Sequence, residues 1–208
     1  MKISFTPIKY IMAGTLLVGT FGNIAQANAQ ITKDKEFDTF VKTAPTPEGI
    51  SVDELAKEAP SAAIKVNGEN KFAKFVVDLS ENVLYTYNNG KPENVYLIAS
   101  GKKSTPTTPG VRIVSHTETF PYRTAPRHTK RRRNPRAYGP NAIILDILDT
   151  KTGERSRTGE FIHGNNDSTS IGKYASKGCM RMNNEVIKEL AKNAKRGDIV
   201  IILPNKNL

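Results

Sequence analysis

Cysteine is almost absent from this 208-residue chain: there is one, Cys179. A lone cysteine cannot close an internal disulfide, so the fold is not a stapled scaffold. Tryptophan is missing altogether and there are three histidines, His116, His128 and His163. His116 and His128 stand apart, without acids or cysteines at ligand spacing, so no metal centre is expected, and no cofactor motif is present. Acids are also in deficit, at 20 against 31 Lys and Arg, for a formal net charge of +11. Such a balance favours an anionic partner. Hydrophobic residues make up 38%, enough for one ordinary core and too many for a disordered chain.

The N-terminus has three parts. "MKISFTPIKY" carries Lys2 and Lys9, "IMAGTLLVGTFGNIA" is apolar, and "AQANAQ" places Ala27 and Ala29 before Gln30. This is the pattern of a secretory signal peptide over residues 1–29, cleaved before Gln30. An uncleaved anchor is the alternative, but the run is short for a span. Cleavage removes two lysines and no acid, so +11 becomes +9. The expectation is an exported protein of the periplasm or cell wall, with no stable membrane span once cleaved. Export argues against nucleic acid as the anionic partner.

Residues 30–70 read as a linker or tail, with Pro45, Pro47 and Pro60 and much charge. Ser51 and Glu54 form a capping box for one short helix there. From residue 71 to 205 the texture is that of a folded domain. "FAKFVVDL", "NVLYTYNNGK", "ENVYLIASG", "VRIVSHTE", "NAIILDIL", "EFIHG" and "DIVIILP" read as strands, and "NNG" marks a tight turn. "NNEVIKELAKNAKRG" reads as a helix near the C-terminus, with Val186, Ile187, Leu190 and Ala194 on one face and Gly197 as its stop. The fold class is mainly β, a sandwich or barrel with few short helices. Between the strand groups, residues 123–136 hold seven Lys and Arg in 14 positions. They read as a solvated loop or, functionally, as a flap facing an anionic wall polymer or substrate and mobile without one.

The unpaired thiol sits in "EFIHGNNDSTSIGKYASKGCMRM". A thiol is mostly protonated near neutral pH and needs a base or a cation to become nucleophilic. His163, at a strand end, is the candidate base. Lys177 and Arg181 add positive charge, and N–H groups around Gly178 and Cys179 could receive an oxyanion. The dipole of the helix that follows would favour a thiolate.

The segment "IHG…SIGK…SKGCMRM" resembles the active-site motif of the L,D-transpeptidase catalytic domain, the YkuD-like family. His163 and Gly164 match its first part, and Ser176, Gly178, Cys179 and Arg181 its second. The family's common histidine before Gly-Cys is replaced by Lys177, which leaves His163 as the implied base. "FVVDLSENVLYTYNNG", "STPTTPGVRIV" and "NPRAYGPNAI", which contains Tyr138, extend the likeness over roughly residues 72–204. The resemblance implies a transpeptidase acting on peptidoglycan tetrapeptide stems. Cys179 would form a thioester with release of D-alanine, and an amine acceptor would resolve it, giving a 3→3 cross-link. Water, a free D-amino acid or a lipoprotein lysine are other acceptors. In that reading Gly178, Ser176 and Gly164 serve the oxyanion or orient the site, and Arg181, Lys177 and Tyr138 bind substrate. Sortase-like or cysteine-peptidase chemistry is one alternative, and a non-catalytic wall-binding module is another. Sortases carry T-L-x-T before their cysteine, which is absent here.

Overall fold

A computed structural model describes residues 57–206; the expected signal peptide and the capping-box residues Ser51 and Glu54 lie outside them, and Lys57 and Glu58, at the end of the expected short helix, are helical. In chain order the strands and helices are β1 (Ala63–Val66), β2 (Glu69–Phe72), β3 (Phe75–Asp78), β4 (Val83–Asn88), β5 (Lys91–Leu97), β6 (Ser100–Gly101), β7 (Gly110–Thr119), α1 (Lys130–Arg133), β8 (Asn141–Leu148), β9 (Arg155–His163), β10 (Tyr174–Ser176), β11 (Met180–Arg181), α2 (Asn184–Asn193) and β12 (Ile199–Leu203). Eight strands form one mixed sheet in the order β11-β9-β8-β7-β12-β3-β4-β5. The mainly β class expected from the sequence is observed, as a curled sheet.

The run Ile199-Val200-Ile201-Ile202-Leu203 explains how the sheet is covered. Consecutive strand residues point to opposite faces, so an unbroken apolar strand needs a core on both sides. Val200 and Ile202 pack with Phe75, Val77, Leu84, Leu145 and Ile187 on the face under α2. Ile199, Ile201 and Leu203 pack with Val76, Tyr87 and Ile113 on the other face. β12 pairs in parallel with β3 and antiparallel with β7, so it joins the two strand groups.

The boundary expected between 70 and 71 falls inside β2. β1 and β2 form a hairpin over an Asn67-Gly68 turn, a strong short-range hairpin signal. Its base is part of the second core, since Ala62, Val66 and Ala73 are buried there. The Tyr87 hydroxyl donates to the Pro60 carbonyl at 2.5 Å. Residues 60–70 therefore belong to the folded domain. β2 shows no apolar alternation and is exposed along its length, which is why it read as linker.

Helix α2 is amphipathic as expected. Ile187, Leu190 and Ala191 are buried, with Val186 and Ala194 packed at the edge. Asn183 caps it, its Oδ1 accepting from Glu185 N and Val186 N. The helix ends at Asn193, short of Gly197, whose N–H is used to tie the turn to the Val114 carbonyl at 2.9 Å. Among the described residues no helix is long and apolar enough to cross a membrane.

Phe75 is fully buried at the centre of the first core. Phe75→Ala is expected to lower stability by about 3–5 kcal/mol, read as a shift in the denaturant midpoint. Ile147→Ala, at a position 40% exposed, should cost less than about 1 kcal/mol. Similar costs at both positions would contradict this placement of the core.

Candidate active site

His163 is the last residue of β9, and Cys179 immediately precedes β11. β11 runs parallel to β9, with Met180 opposite Ile162 and Arg181 opposite His163. That pairing brings the two ends of the "IHG…KGC" segment side by side. His163, Cys179, Ser176, Lys177, Arg181 and Tyr138 line one cleft of ≈ 520 Å³.

His163 is buried, and its Nδ1 lies against the Gly164 carbonyl. A carbonyl only accepts, so Nδ1 carries the proton of the neutral ring and Nε2 is the basic nitrogen. The Tyr138 ring packs on the imidazole with centroids 4.8 Å apart. Burial pushes the imidazole down to about 4; the Gly164 and Tyr138 carbonyls oppose that and the Arg181 guanidinium adds to it. Gly164 is required by close approach. A Cβ there would meet Asn184 Oδ1 at 2.4 Å and Pro140 Cδ at 2.8 Å. Asn184 Oδ1 itself accepts from Asn165 N at 2.9 Å, and Asn165 Nδ2 donates to the Met182 carbonyl at 3.0 Å. The first residue of α2 thus holds the turn after the histidine.

Cys179 is half-buried, and its thiol donates to the Gly159 carbonyl at 3.6 Å. Burial pushes the thiol up to about 11. The Phe161 N–H pulls it down, Glu160 raises it further, and Arg181 and Arg131 lower it. The resting pair is therefore a neutral thiol beside a neutral imidazole. The first N–H groups of α2 are taken by the Asn183 side chain and are not free to hydrogen-bond the thiol.

The turn carrying the thiol is held from within and from outside. Ser176 Oγ donates to the Cys179 carbonyl at 2.5 Å and accepts from Gly178 N at 3.1 Å. The Gly178 N–H is thus committed to Ser176 and is not the free oxyanion donor expected from the sequence. Gly178 has φ +108, a conformation that side chains rarely adopt, so its role is to shape the turn. From outside, Thr107 Oγ1 donates to the Gly178 carbonyl and accepts from Gly101 N, each at 2.9 Å. Thr105 Oγ1 donates to the Ser176 carbonyl at 3.2 Å. The Thr-Pro loop is in turn tied to β9: Glu160 accepts from Thr108 N at 2.9 Å, and from Arg112 Nε at 2.9 Å and Nη2 at 2.8 Å. Sequence reasoning missed Thr107, Arg112, Glu160, Asn165 and Asn184. The Thr-Pro loop was the available signal, but its partners lie far away along the chain.

The basic segment is not solvated throughout, as a run of charge would be. Arg131 donates to buried Glu118 at 2.5 and 3.2 Å and lies 4.9 Å over the Phe161 ring. Tyr122 is fully buried, and its hydroxyl donates to the carbonyls of Tyr138 and Gly139 at 2.9 and 3.0 Å. A buried acid took one arginine out of the solvated run and anchored α1. Lys130 and Arg133 of α1 line the cleft. Among the described residues no group of three His, Cys, Asp or Glu could hold a metal ion.

A family profile described as the L,D-transpeptidase catalytic domain matches residues 73–202. A curated Bacillus licheniformis protein named L,D-transpeptidase YkuD is 30% identical over 132 residues, which are 63% of this chain and 66% of the relative. The chain therefore spans just under two thirds of that relative's length. A solved L,D-transpeptidase from Mycobacterium tuberculosis aligns at TM-score 0.48 and 16% identity, covering 69% of this chain and 58% of that one. One from Enterococcus faecium aligns at TM-score 0.45 and 24% identity, covering 63% and 49%.

Alkylation of Cys179 by iodoacetamide should be slow at pH 7, where a thiol titrating near 11 is thiolate in about one part in ten thousand. The rate should climb through pH 9–11. A plateau already reached at pH 7 would mean the cleft holds a thiolate. Acid should act on stability through His163. Its folded value of about 4 lies below its unfolded value of 6.5, so the unfolded chain binds more protons between them. Stability is then flat above pH 6.5 and declines towards pH 4. His163→Gln should flatten that decline in urea titrations; an unchanged slope would assign the acid sensitivity elsewhere.

Proposed function

Since the chain belongs to the L,D-transpeptidase catalytic domain family, we propose that it is an exported cysteine transpeptidase of peptidoglycan. The donor is a tetrapeptide stem. What supports this reading above all is the meeting of His163 and Cys179 in one cleft, with the imidazole tautomer set by the Gly164 carbonyl.

Chemistry begins from the neutral pair. The thiol turns from the Gly159 carbonyl towards His163 and gives its proton to Nε2 as sulfur attacks. The carbon attacked is the carbonyl joining the L-centre of the third residue to the terminal D-alanine. The Cys179 N–H, next to the engaged Gly178 N–H, stabilises the oxyanion. His163 passes the proton to the D-alanine nitrogen, the C–N bond breaks, and a thioester remains. An amine on the third residue of a second stem then attacks the thioester. His163 takes a proton from that amine and returns it to sulfur, leaving a 3→3 cross-link and a free thiol. Lowering the imidazole to about 4 keeps it unprotonated, and so able to accept, throughout the neutral range.

Arg181 and Lys177 lie on the cleft and bind the stem, and Tyr138 forms its wall beside His163. Arg123 and Arg127 are exposed outside the cleft and suit an anionic wall polymer. Export to the periplasm or cell wall rests on the three-part N-terminal pattern and on the location of such a substrate.

Intact-mass spectrometry with a disaccharide-tetrapeptide tests the reading. The enzyme should gain the donor mass less D-alanine, Cys179→Ala should gain nothing, and His163→Gln should acylate at least a hundredfold more slowly. An adduct that persists in folded Cys179→Ala would refute the nucleophile.

A further inference from the structure

The charge around the cleft is one-sided. Lys130, Arg133, Lys177 and Arg181 all line it, and no Asp or Glu does. The nearby acids are turned away or consumed. Glu160, the one acid of β9, accepts from Arg112 and Thr108. Glu118 is held by Arg131 and His116. None of the four cleft cations has an ion-pair partner among the described residues.

Two of the four come from α1, and their position follows from the second residue of that helix's basic run, Arg131. Arg131 points inward, only 12% exposed, to a carboxylate that is 1% exposed. Its guanidinium also rests on Phe161, two residues before His163. Lys130 and Arg133 are exposed and carried to the cleft rim by this anchor. Bringing like charges together without acids is unfavourable unless an anion completes the set. Within the peptide stem, the groups that can do so are the carboxylates flanking the scissile bond. Amidating one of them keeps its shape and removes its charge.

We propose that, if the chain is a transpeptidase as read above, Lys130 and Arg133 make it selective for stems whose side carboxylates are free, so that amidated stems are poor donors. Arg131 and Glu118 act as positioning residues for that selection. Because the cations are exposed, the preference is weakened by salt.

The test is the rate of acyl-enzyme formation by mass spectrometry. It uses a free-acid tetrapeptide and the same peptide amidated at its side carboxylates, in 20 mM and 300 mM salt. Wild type should favour the free acid at least tenfold in kcat/KM at low salt. K130Q/R133Q should narrow that gap to about threefold or less, mainly by raising KM for the free acid. Glu118→Gln should narrow it too, with circular dichroism confirming the fold in each variant. Equal rates on both stems in wild type, or a tenfold preference that survives in K130Q/R133Q, would overturn the selectivity and leave the transpeptidase reading intact. Absence of an adduct from either stem would overturn both.

Discussion

The buried hydroxyl of Thr107 is the contact on which the site depends. From within, the turn from Ser176 to Cys179 is held through Ser176 Oγ. Its shape requires a positive φ at Gly178, and its carbonyls need partners. Thr107 supplies one by standing between two backbones, accepting from Gly101 and donating to Gly178. Buried polar groups left unpaired are costly, so the Thr-Pro loop and the thiol turn stabilise each other. The Arg112–Glu160 pair then fastens this unit to the strand that ends in His163. Cys179 and His163 are thus registered by groups that touch neither side chain.

The same burial governs the chemistry. His163 is buried and Cys179 half-buried, and desolvation drives both towards their neutral forms. A cysteine enzyme can also rest as a thiolate–imidazolium pair, which needs local charges strong enough to offset desolvation. Here Arg181 acts on both partners in the same sense, favouring thiolate and disfavouring imidazolium. It cannot stabilise the pair as a whole. In the proposed reaction, charge separation would be deferred to the moment of attack, where fixed donors are most effective.

Much of this architecture could be read from residue order, for identifiable reasons. Rare residue types stand out, so one cysteine and one histidine in a Gly- and Ser-rich stretch marked the cleft. Apolar runs such as "IVIIL" and the 3.6 spacing in α2 report burial directly. What escaped notice has a common cause. Thr107 and Gly178 are 71 residues apart, and Arg112 and Glu160 are 48 apart. Periodicity carries no trace of such pairings. Charge runs mislead in the same way: Arg131 looks like its neighbours in sequence, and only the buried Glu118 distinguishes it. The polar β2 misled because a hairpin held by its turn and its base needs no apolar stripe.

The placement of β12 has a consequence for how the chain becomes a protein. β3, β4 and β5 can pair as a meander soon after they are made, and β7, β8 and β9 as another. Neither sheet fragment is complete until residues 199–203 arrive to bridge them. Until then each fragment shows an open, apolar edge, which is a hazard in a crowded compartment. β12 follows the other named strands in chain order, so the two meanders become one sheet only when residues 199–203 pair with both.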